Sequence, residues 1–409
     1  SWEKTGYNIR RQEKQMDRYS RVYAAVNLDA LKENMKAMKA NLPEKTGIIG
    51  VLKADGYGHG AVPVAKAIEP YVEGYAVAAA EEGLNLCRHG VKKPILILGP
   101  VHPCWYDELI EHQIRPVLFE EKTIREFSAR AAALKKRAPF HLALDTGMSR
   151  IGMKPDQQSA ELISRLMSLP GIYLEGMFTH FATADEEDKT KTMAQIAQYQ
   201  AFVKMLEKEG VQIPIKHCAN SAGIIDSLGV EFDLVRAGIS IYGLYPSREV
   251  NREAVKLTPA LELKSHVTYI KSIEPGTEIS YGGTFKAEVP IRIATIPAGY
   301  GDGYPRYLSG KGWVLIRGQK APVVGRICMD QFMVDITGLE GIEENDQVTL
   351  IGKDGDQEIT AEDLAEAGGG FHYELLCGLG KRVPRIYFSG GKAVGRKDYF
   401  DDRYQDFEC

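Results

Sequence analysis

Apolar residues along the first two thirds of the chain follow two alternating patterns. Short apolar runs bounded by turn residues recur at Ile48–Lys53, Tyr75–Ala78, Ile95–Gly99, Arg115–Phe119, Phe140–Asp145, Glu175–His180, Ile215–Asn220 and Leu234–Gly238. Such runs predict strands buried on both faces. Between them, residues 121–136, 156–169 and 188–209 carry apolar positions at three- and four-residue spacing, which predicts amphipathic helices. A strand over Val22–Asn27 and a helix over Leu31–Leu42 precede the series. Eight strands each feeding a helix over about 200 residues predict an α/β fold, the (β/α)8 TIM barrel. A doubly wound open sheet is the alternative. It wants G-x-G-x-x-G after its first strand, and Gly56-Tyr57-Gly58-His59-Gly60 has a different spacing.

From about Leu257 the long helical patterns stop. Closely spaced β-rich segments follow at Leu261–Ile270, Arg292–Ile296, Trp313–Ile316, Val323–Ile327, Phe332–Ile336 and Val348–Ile351, with turn signals such as Glu274-Pro275-Gly276 between them. They predict a C-terminal all-β domain. The expected organisation is an N-terminal extension or linker over 1–19, a barrel over 20–256, a β domain over 257–390 and a polar tail over 391–409. The first strand of the barrel segment is open to joining the β domain.

Composition narrows the function class. The 51 basic and 55 acidic residues are well mixed and leave a net charge of -4, so no basic stripe argues for nucleic acid. Apolar runs are strand-sized and no secretory signal opens the chain, so no membrane span is expected in this segment and a cytoplasmic location is. Six cysteines without C-x-x-C pairing read as free thiols. Nine histidines form no H-x-x-x-H cluster, and no metal site is expected.

Function in such a barrel gathers at the C-terminal ends of the strands. Lys53 ends the first, just before the glycine-rich run. A partly desolvated amine there can attack a carbonyl, although a lysine snorkelling into solvent reads equally well from that segment alone. The fifth strand runs into Asp145-Thr146-Gly147-Met148-Ser149-Arg150, and the sixth ends in Thr179-His180. The seventh ends in His217, Asn220 and Ser221, and the eighth carries Arg236 before Gly238-Ile239. A barrel's usual phosphate site lies after strands seven and eight, where Ser221 and the amides of Gly238 and Ile239 fall. A lysine facing a phosphate cradle suggests a phosphorylated aldehyde held as a Schiff base, which describes pyridoxal 5'-phosphate. Asp145-Thr146-Gly147 looks like an aspartic protease triplet, but that chemistry needs two, and none pairs with it. Gly368-Gly369-Gly370 reads as a turn.

These residues together make the chain resemble the alanine racemase family, fold-type III enzymes that use pyridoxal 5'-phosphate and include serine/alanine racemase domains. The resemblance runs from about residue 20 to about 388. It is carried by Leu52–Gly60, Leu144–Arg150, Thr179–Asp185, Ala219-Asn220-Ser221, Arg236–Ile239, Ser280-Tyr281-Gly282, Gly299–Gly303 and Ile327–Gln331. The implied activity is interconversion of L- and D-alanine, supplying D-alanine for peptidoglycan. The resemblance implies that Lys53 holds the cofactor and serves as one catalytic base. Tyr281 is the other, entering the partner's barrel in a head-to-tail homodimer. It implies that Tyr57, Ser221, Gly238, Ile239 and Tyr373 bind the cofactor phosphate, with Asn220 beside them, and that Arg236 faces the pyridine nitrogen. Arg150 and the Met329 amide would receive the substrate carboxylate, and Tyr300 would shape the substrate entrance. A hydrogen-bond path through His180 towards Arg236 would favour the Tyr281 phenolate, since a free tyrosine has a pKa of about 10.

One position departs from the family. A carbamylated lysine usually precedes the Leu144-Asp145 pair, and here Ala143 stands there. An anion such as chloride near Arg150 and Ala143 is the expected substitute. A bulky Tyr373 over the cofactor favours alanine over serine. The rival readings are a fold-type III decarboxylase, opposed by Arg236, and a non-catalytic cofactor-binding barrel, opposed by the β domain and Tyr281.

Overall fold

The computed structural model describes residues 18–401. Residues 1–17 of the expected extension and 402–409 of the expected tail lie outside the described residues. The chain divides into two compact units. One comprises Ala30–Tyr57 and Ala61–Thr258; the other holds the segment up to Asp29, Gly58–Gly60 and everything from Pro259.

Strand β1 (Val22–Asn27) opens the described chain and is followed by eight parallel barrel strands. These are β2 (Gly47–Val51), β3 (Gly74–Val77), β4 (Ile95–Ile97), β5 (Val117–Leu118), β6 (Ala138–Ala143), β7 (Ile172–Phe178), β8 (Ile215–His217) and β9 (Leu234–Ala237). Their order is β4-β3-β2-β9-β8-β7-β6-β5. The two ends meet through Ile97 N to Arg115 O and Arg115 N to Ile95 O, both 2.9 Å, so the sheet closes on itself. Strands such as β6 are buried at every residue, as a sheet covered on one face and filled on the other requires. The outer helices turn their apolar stripe inward. In Gln157–Leu166 that stripe is Ala160, Ile163 and Leu166, and Asp156 caps the helix by accepting the Ser159 amide at 3.0 Å.

The second unit is built on one large sheet. Its strands run in the order Tyr269–Ile273, Ile291–Ile296, Phe332–Asp335, Gln319–Val324, Trp313–Ile316, Gln347–Asp354, Leu261–His266, β1, Arg385–Ser389, Lys392–Lys397. β1 pairs antiparallel with Leu261–His266 and parallel with Arg385–Ser389, so it belongs to this sheet and not to the barrel. The expected strand over 261–270 is two strands. Val267 and Thr268 turn to different partners, Asp346 O and Thr295 O, and break the ladder between them. Part of the expected polar tail is an edge strand, Lys392–Lys397, whose exposed polar residues suit an edge facing water. The unit also carries two short helices, Ala361–Gly368 and His372–Cys377. Gly368 ends the first, and Gly369 (φ 77°) forms its left-handed cap, the turn expected of the glycine run.

Candidate active site

The backbone reverses hand directly after β2. Ala54, Asp55, Gly56 and Tyr57 have φ of 53°, 52°, 62° and 51°, a left-handed turn of which three members are not glycine. Each such residue costs roughly 1–2 kcal/mol, so the turn must be held by its surroundings. Gly56 N donates to Leu52 O at 2.8 Å. Asp55 Oδ1 accepts the Ala61 amide at 2.8 Å. Glu82 Oε1 accepts the Ala54 amide at 2.7 Å while its Oε2 accepts those of Ala78 and Ala79. Lys53 is the residue at the start of this clamped turn. Tyr57, at its end, is buried and stacks on Tyr242 with ring centroids 4.9 Å apart; Tyr242 in turn donates to Val51 O.

Across the barrel mouth, Ser221, Gly238 and Tyr57 converge. Ser221 Oγ accepts the Gly238 amide at 2.9 Å and shares a hydrogen bond with Ser240 Oγ at 2.7 Å. A Cβ added to Gly238 would lie 2.7 Å from the Tyr57 hydroxyl, so the site requires glycine there. Ile239 follows at the start of a short 3-10 turn, Ile239–Tyr242. Asn220 has a local task. Its Oδ1 accepts the Gly223 amide and caps the helix Ser221–Asp226.

Beside this cradle, Lys53, Ala143, Arg150, His180, Phe178 and Arg236 line a cavity of about 330 Å³. Its remaining walls are Ala78, Leu98, Gly99, Pro100, Leu144, Met148 and Ile151, so three cations and no carboxylate border it. Arg236 is buried. Its Nη1 donates to His217 Nδ1 (2.8 Å) and His217 O, and its Nη2 to Thr179 O and Cys218 O (both 2.9 Å) and to His180 Nδ1 (3.3 Å). These bonds occupy the terminal nitrogens and leave Nε–H as the donor for a ligand. Burial lowers the Arg236 pKa to about 10, which keeps it charged at neutral pH. Burial, with the charges of Arg236, Arg150 and Lys53, lowers His180 to about 3. His180 is therefore neutral. Its Nδ1 accepts from Arg236, so its proton sits on Nε2.

The neighbouring loops are pinned as well. Asp145 Oδ1 accepts the amides of Gly147 and Ser149 at 3.0 and 2.9 Å, a local turn that accounts for the Asp-Thr-Gly triplet. Gln195 donates to Thr146 Oγ1 and His180 O and accepts the Ala182 amide, tying the loops after β6 and β7 together. Arg150 makes no ion pair among the described residues, and Ala143 is buried in the cavity wall.

The remaining residues of interest lie in the second unit. Tyr281 stands on a tight turn between Ser280 (φ 65°) and Gly282 (φ 72°), anchored by Ser280 Oγ donating to Arg326 O at 2.6 Å. Tyr281, Met329 and Tyr300 are unusually exposed for their type, at 68%, 52% and 41%. Two backbone bonds, Tyr300 N to Cys328 O and Gly301 N to Met329 O, join the loops carrying Tyr300 and Met329. Tyr373 stacks on Phe371 at 4.6 Å.

Known proteins match the chain over most of its length. The alanine racemase N-terminal domain family matches residues 26–246 and the alanine racemase C-terminal domain family residues 260–387. The chain belongs to the alanine racemase family. It is 44% identical to the alanine racemase of Clostridium novyi over 380 residues, covering 92% of this chain and 98% of that one. The solved alanine racemase of Clostridium difficile 630 superposes with a TM-score of 0.88 at 41% identity, covering 93% of this chain and 98% of that one. The Bacillus anthracis alanine racemase with bound L-Ala-P gives 0.87 at 36% identity, covering 94% and 99%.

Alanine racemases depend on pyridoxal 5'-phosphate, and the residues present fit that group. There is a lysine at a strand end and a hydroxyl and glycine cradle for a phosphate. A buried arginine has one donor to spare, and no competing carboxylate lines the cavity. Sequence reasoning had missed Glu82, Gln195, His141 and Glu175. Glu82 is the third residue of the helix Ala80–Arg88, but the N-cap is Ala79, so the Ser/Thr that marks a capping box in sequence is missing. The two inward-facing polar residues of β6 and β7, His141 and Glu175, were visible only as interruptions of apolar strands.

Proposed function

We propose that this chain interconverts L- and D-alanine with Lys53 and Tyr281 as opposed proton carriers, and so supplies D-alanine for peptidoglycan. With this reading go a cytoplasmic location and a homodimer in which Tyr281, Tyr300 and Met329 serve the partner's barrel. The observation that carries it is the cationic cavity bordered by Lys53, Arg150, His180 and Arg236. Bound there, pyridoxal 5'-phosphate would supply an aldehyde to carry the amino acid and a ring to take up charge from Cα. Tyr57, Ser221, Gly238 and Ile239, with Tyr373, would hold its phosphate.

The division of labour follows from proton chemistry. Inversion at Cα needs a proton removed on one face and returned on the other, and two opposed bases do that. Lys53 serves one face and the partner subunit's Tyr281 the other. The neutral His180, with Nε2–H available, can donate to that phenolate and lower the cost of its charge. Arg150 and the Met329 amide would receive the substrate carboxylate. Arg236 is a donor only, so the ring nitrogen it faces stays unprotonated, which favours return of the proton to Cα. In this reading the bulk of Tyr373 favours alanine over serine.

With Ala143 in place of a carbamylated lysine, Arg150 has no ion partner among the described residues. A bound anion such as chloride between them restores charge balance in this reading. Exchanging chloride for a large anion should raise the KM for alanine, and activity indifferent to halide would exclude the site.

The test is α-proton exchange in deuterated water with L-alanine, D-alanine and L-serine. Both alanines should exchange, and Tyr281→Phe should slow one enantiomer far more than the other. Release of carbon dioxide, or equal slowing in both directions, would overturn the two-base reading.

A further inference from the structure

Behind Arg236, away from the cavity, a line of polar side chains crosses the barrel interior. His217 Nδ1 takes its hydrogen bond from Arg236, and His217 Nε2 lies 2.9 Å from His141 Nδ1. His141 Nε2 lies 3.1 Å from Glu175 Oε2. Glu175 is paired with Arg115 by two parallel bonds, Nε to Oε2 at 2.8 Å and Nη2 to Oε1 at 2.9 Å. Both histidines are buried. Phe178 stacks on His217 at 5.1 Å and lies under the Arg236 guanidinium at the same distance.

The ends of this line dictate every proton in it. Arginine can only donate, so His217 Nδ1 is an acceptor and its proton is on Nε2. That proton points at His141 Nδ1, so His141 also carries its proton on Nε2. The carboxylate of Glu175 can only accept, and it receives that proton. The direction Arg236 → His217 → His141 → Glu175 is thus the single arrangement with no donor facing a donor. Desolvation holds both imidazoles neutral, as this requires.

The strand geometry is shaped around the line. The pairing of β6 with β7 shifts register between Phe140 and His141. Opposite stands Gly176, where a Cβ would fall 2.5 Å from His141 Cε1 and 2.6 Å from its Nδ1. A side chain at 176 would evict the His141 ring.

We propose that Glu175 is a positioning residue for Arg236. Acting through His141 and His217, it accepts the last proton of the line and, with Arg236 at the other end, holds the tautomers that lock the Nη edge of Arg236 to the barrel and leave Nε–H turned to the cavity. The assignment of that Nε–H to the cofactor's ring nitrogen rests on the proposed function; the tautomer selection does not.

Glu175→Gln tests it without changing shape. A glutamine amide can donate as well as accept, so only the Arg236 end then fixes the direction of the line. Where the amide donates to His141 Nε2 the line reverses, a His217 Nδ1–H is set against the Arg236 N–H, and that bond is lost. Neutron diffraction of the holoenzyme should show both Nε2 atoms protonated in the parent and at least one Nδ1 protonated in Glu175→Gln. The bound cofactor's absorbance should shift. The ratio of transamination to racemisation should rise roughly tenfold, the effect of losing one charge-assisted hydrogen bond. Arg115→Gln is the control. It removes the ion pair but leaves the carboxylate, so tautomers and product ratio should stay as in the parent. Unchanged tautomers in Glu175→Gln, or the same catalytic change in both variants, would overturn the proposal. Altered tautomers in an enzyme that racemises nothing would instead leave the line standing and count against the proposed function.

Discussion

The Glu82 carboxylate accepts the Ala54 amide at 2.7 Å, one residue past Lys53. The same carboxylate holds the amides of Ala78 and Ala79 at 2.7 and 3.0 Å. One side chain therefore caps a helix, ties down the loop after β3 and restrains a left-handed turn. Glu82→Ala removes three bonds to a charged acceptor and should cost about 2–4 kcal/mol. Denaturant unfolding measures that cost. Because the turn carries Lys53 and Tyr57, pyridoxal 5'-phosphate affinity should fall as well, read by fluorescence titration. Full stability with full affinity would show that the turn holds itself.

Gly238→Ala tests the contact between the cradle and Tyr57. The substitution adds one methyl group at the start of the turn Ile239–Tyr242. It would meet the Tyr57 hydroxyl at 2.7 Å. The expected outcome is at least roughly a tenfold loss of cofactor affinity, since a misplaced phosphate clamp loses a charge-assisted bond. Equilibrium dialysis against pyridoxal 5'-phosphate decides it.

Acid should unfold this protein through its buried histidines. His180, His141 and His217 all have folded pKa values below the ordinary 6.5, first because burial disfavours their charged form. Below pH 6.5 the unfolded chain binds protons that the folded chain refuses, so stability falls as pH falls. Each such histidine contributes a slope of about 1.4 kcal/mol per pH unit. Glu175 acts lower. Burial raises its pKa, but hydrogen bonds from His141 and Arg115 outweigh that and bring it to about 2. Its stabilisation, present above pH 4.5, is lost as pH falls towards 2. Urea midpoints should decline steadily from pH 6.5 downward, and His217→Gln should flatten that decline. A midpoint constant between pH 6.5 and 4.5 would contradict the neutral assignments.

Asp302 secures the loops that carry Tyr300 and Met329. It is buried and accepts from Arg21 at 2.5 and 3.0 Å and from the Gly299 amide at 3.0 Å, with Arg382 Nε 3.2 Å away. Arg382 also pairs with Asp330 and donates to Met329 O. Removing the shared carboxylate leaves Arg21 without its ion partner, while Arg382 keeps Asp330. Asp302→Ala should destabilise the second unit by about 1–3 kcal/mol, seen as an earlier unfolding transition in calorimetry. In enzyme that remains folded, KM for alanine should rise more than kcat falls.

Much of the barrel was legible because its strands are short apolar runs and its helices keep a three-to-four spacing. The strand-end residues Lys53, His180, Ser221 and Arg236 could be placed on one face from that periodicity alone. The structure does bring Lys53, Arg150, His180 and Arg236 to one cavity. Strand boundaries were less legible. The segment 261–270 is continuously β-prone, yet its ladder breaks where Val267 and Thr268 take different partners. Residues 392–397 looked like a tail because an edge strand needs no apolar face.

The sequence by itself determined the alternation of strands and helices, and the chemical kinds of group at the strand ends. Both are local, since a side chain's place on a strand follows from its position in the run. Only the tertiary structure decided which groups meet. The Glu82 clamp on a turn 28 residues away, the passage from Arg236 to Glu175, and the empty space at Gly176 that admits the His141 ring all depend on the closing of the sheet. Closure sets distances between strands far apart in sequence, and a hydrogen bond exists or fails within a few tenths of an ångström.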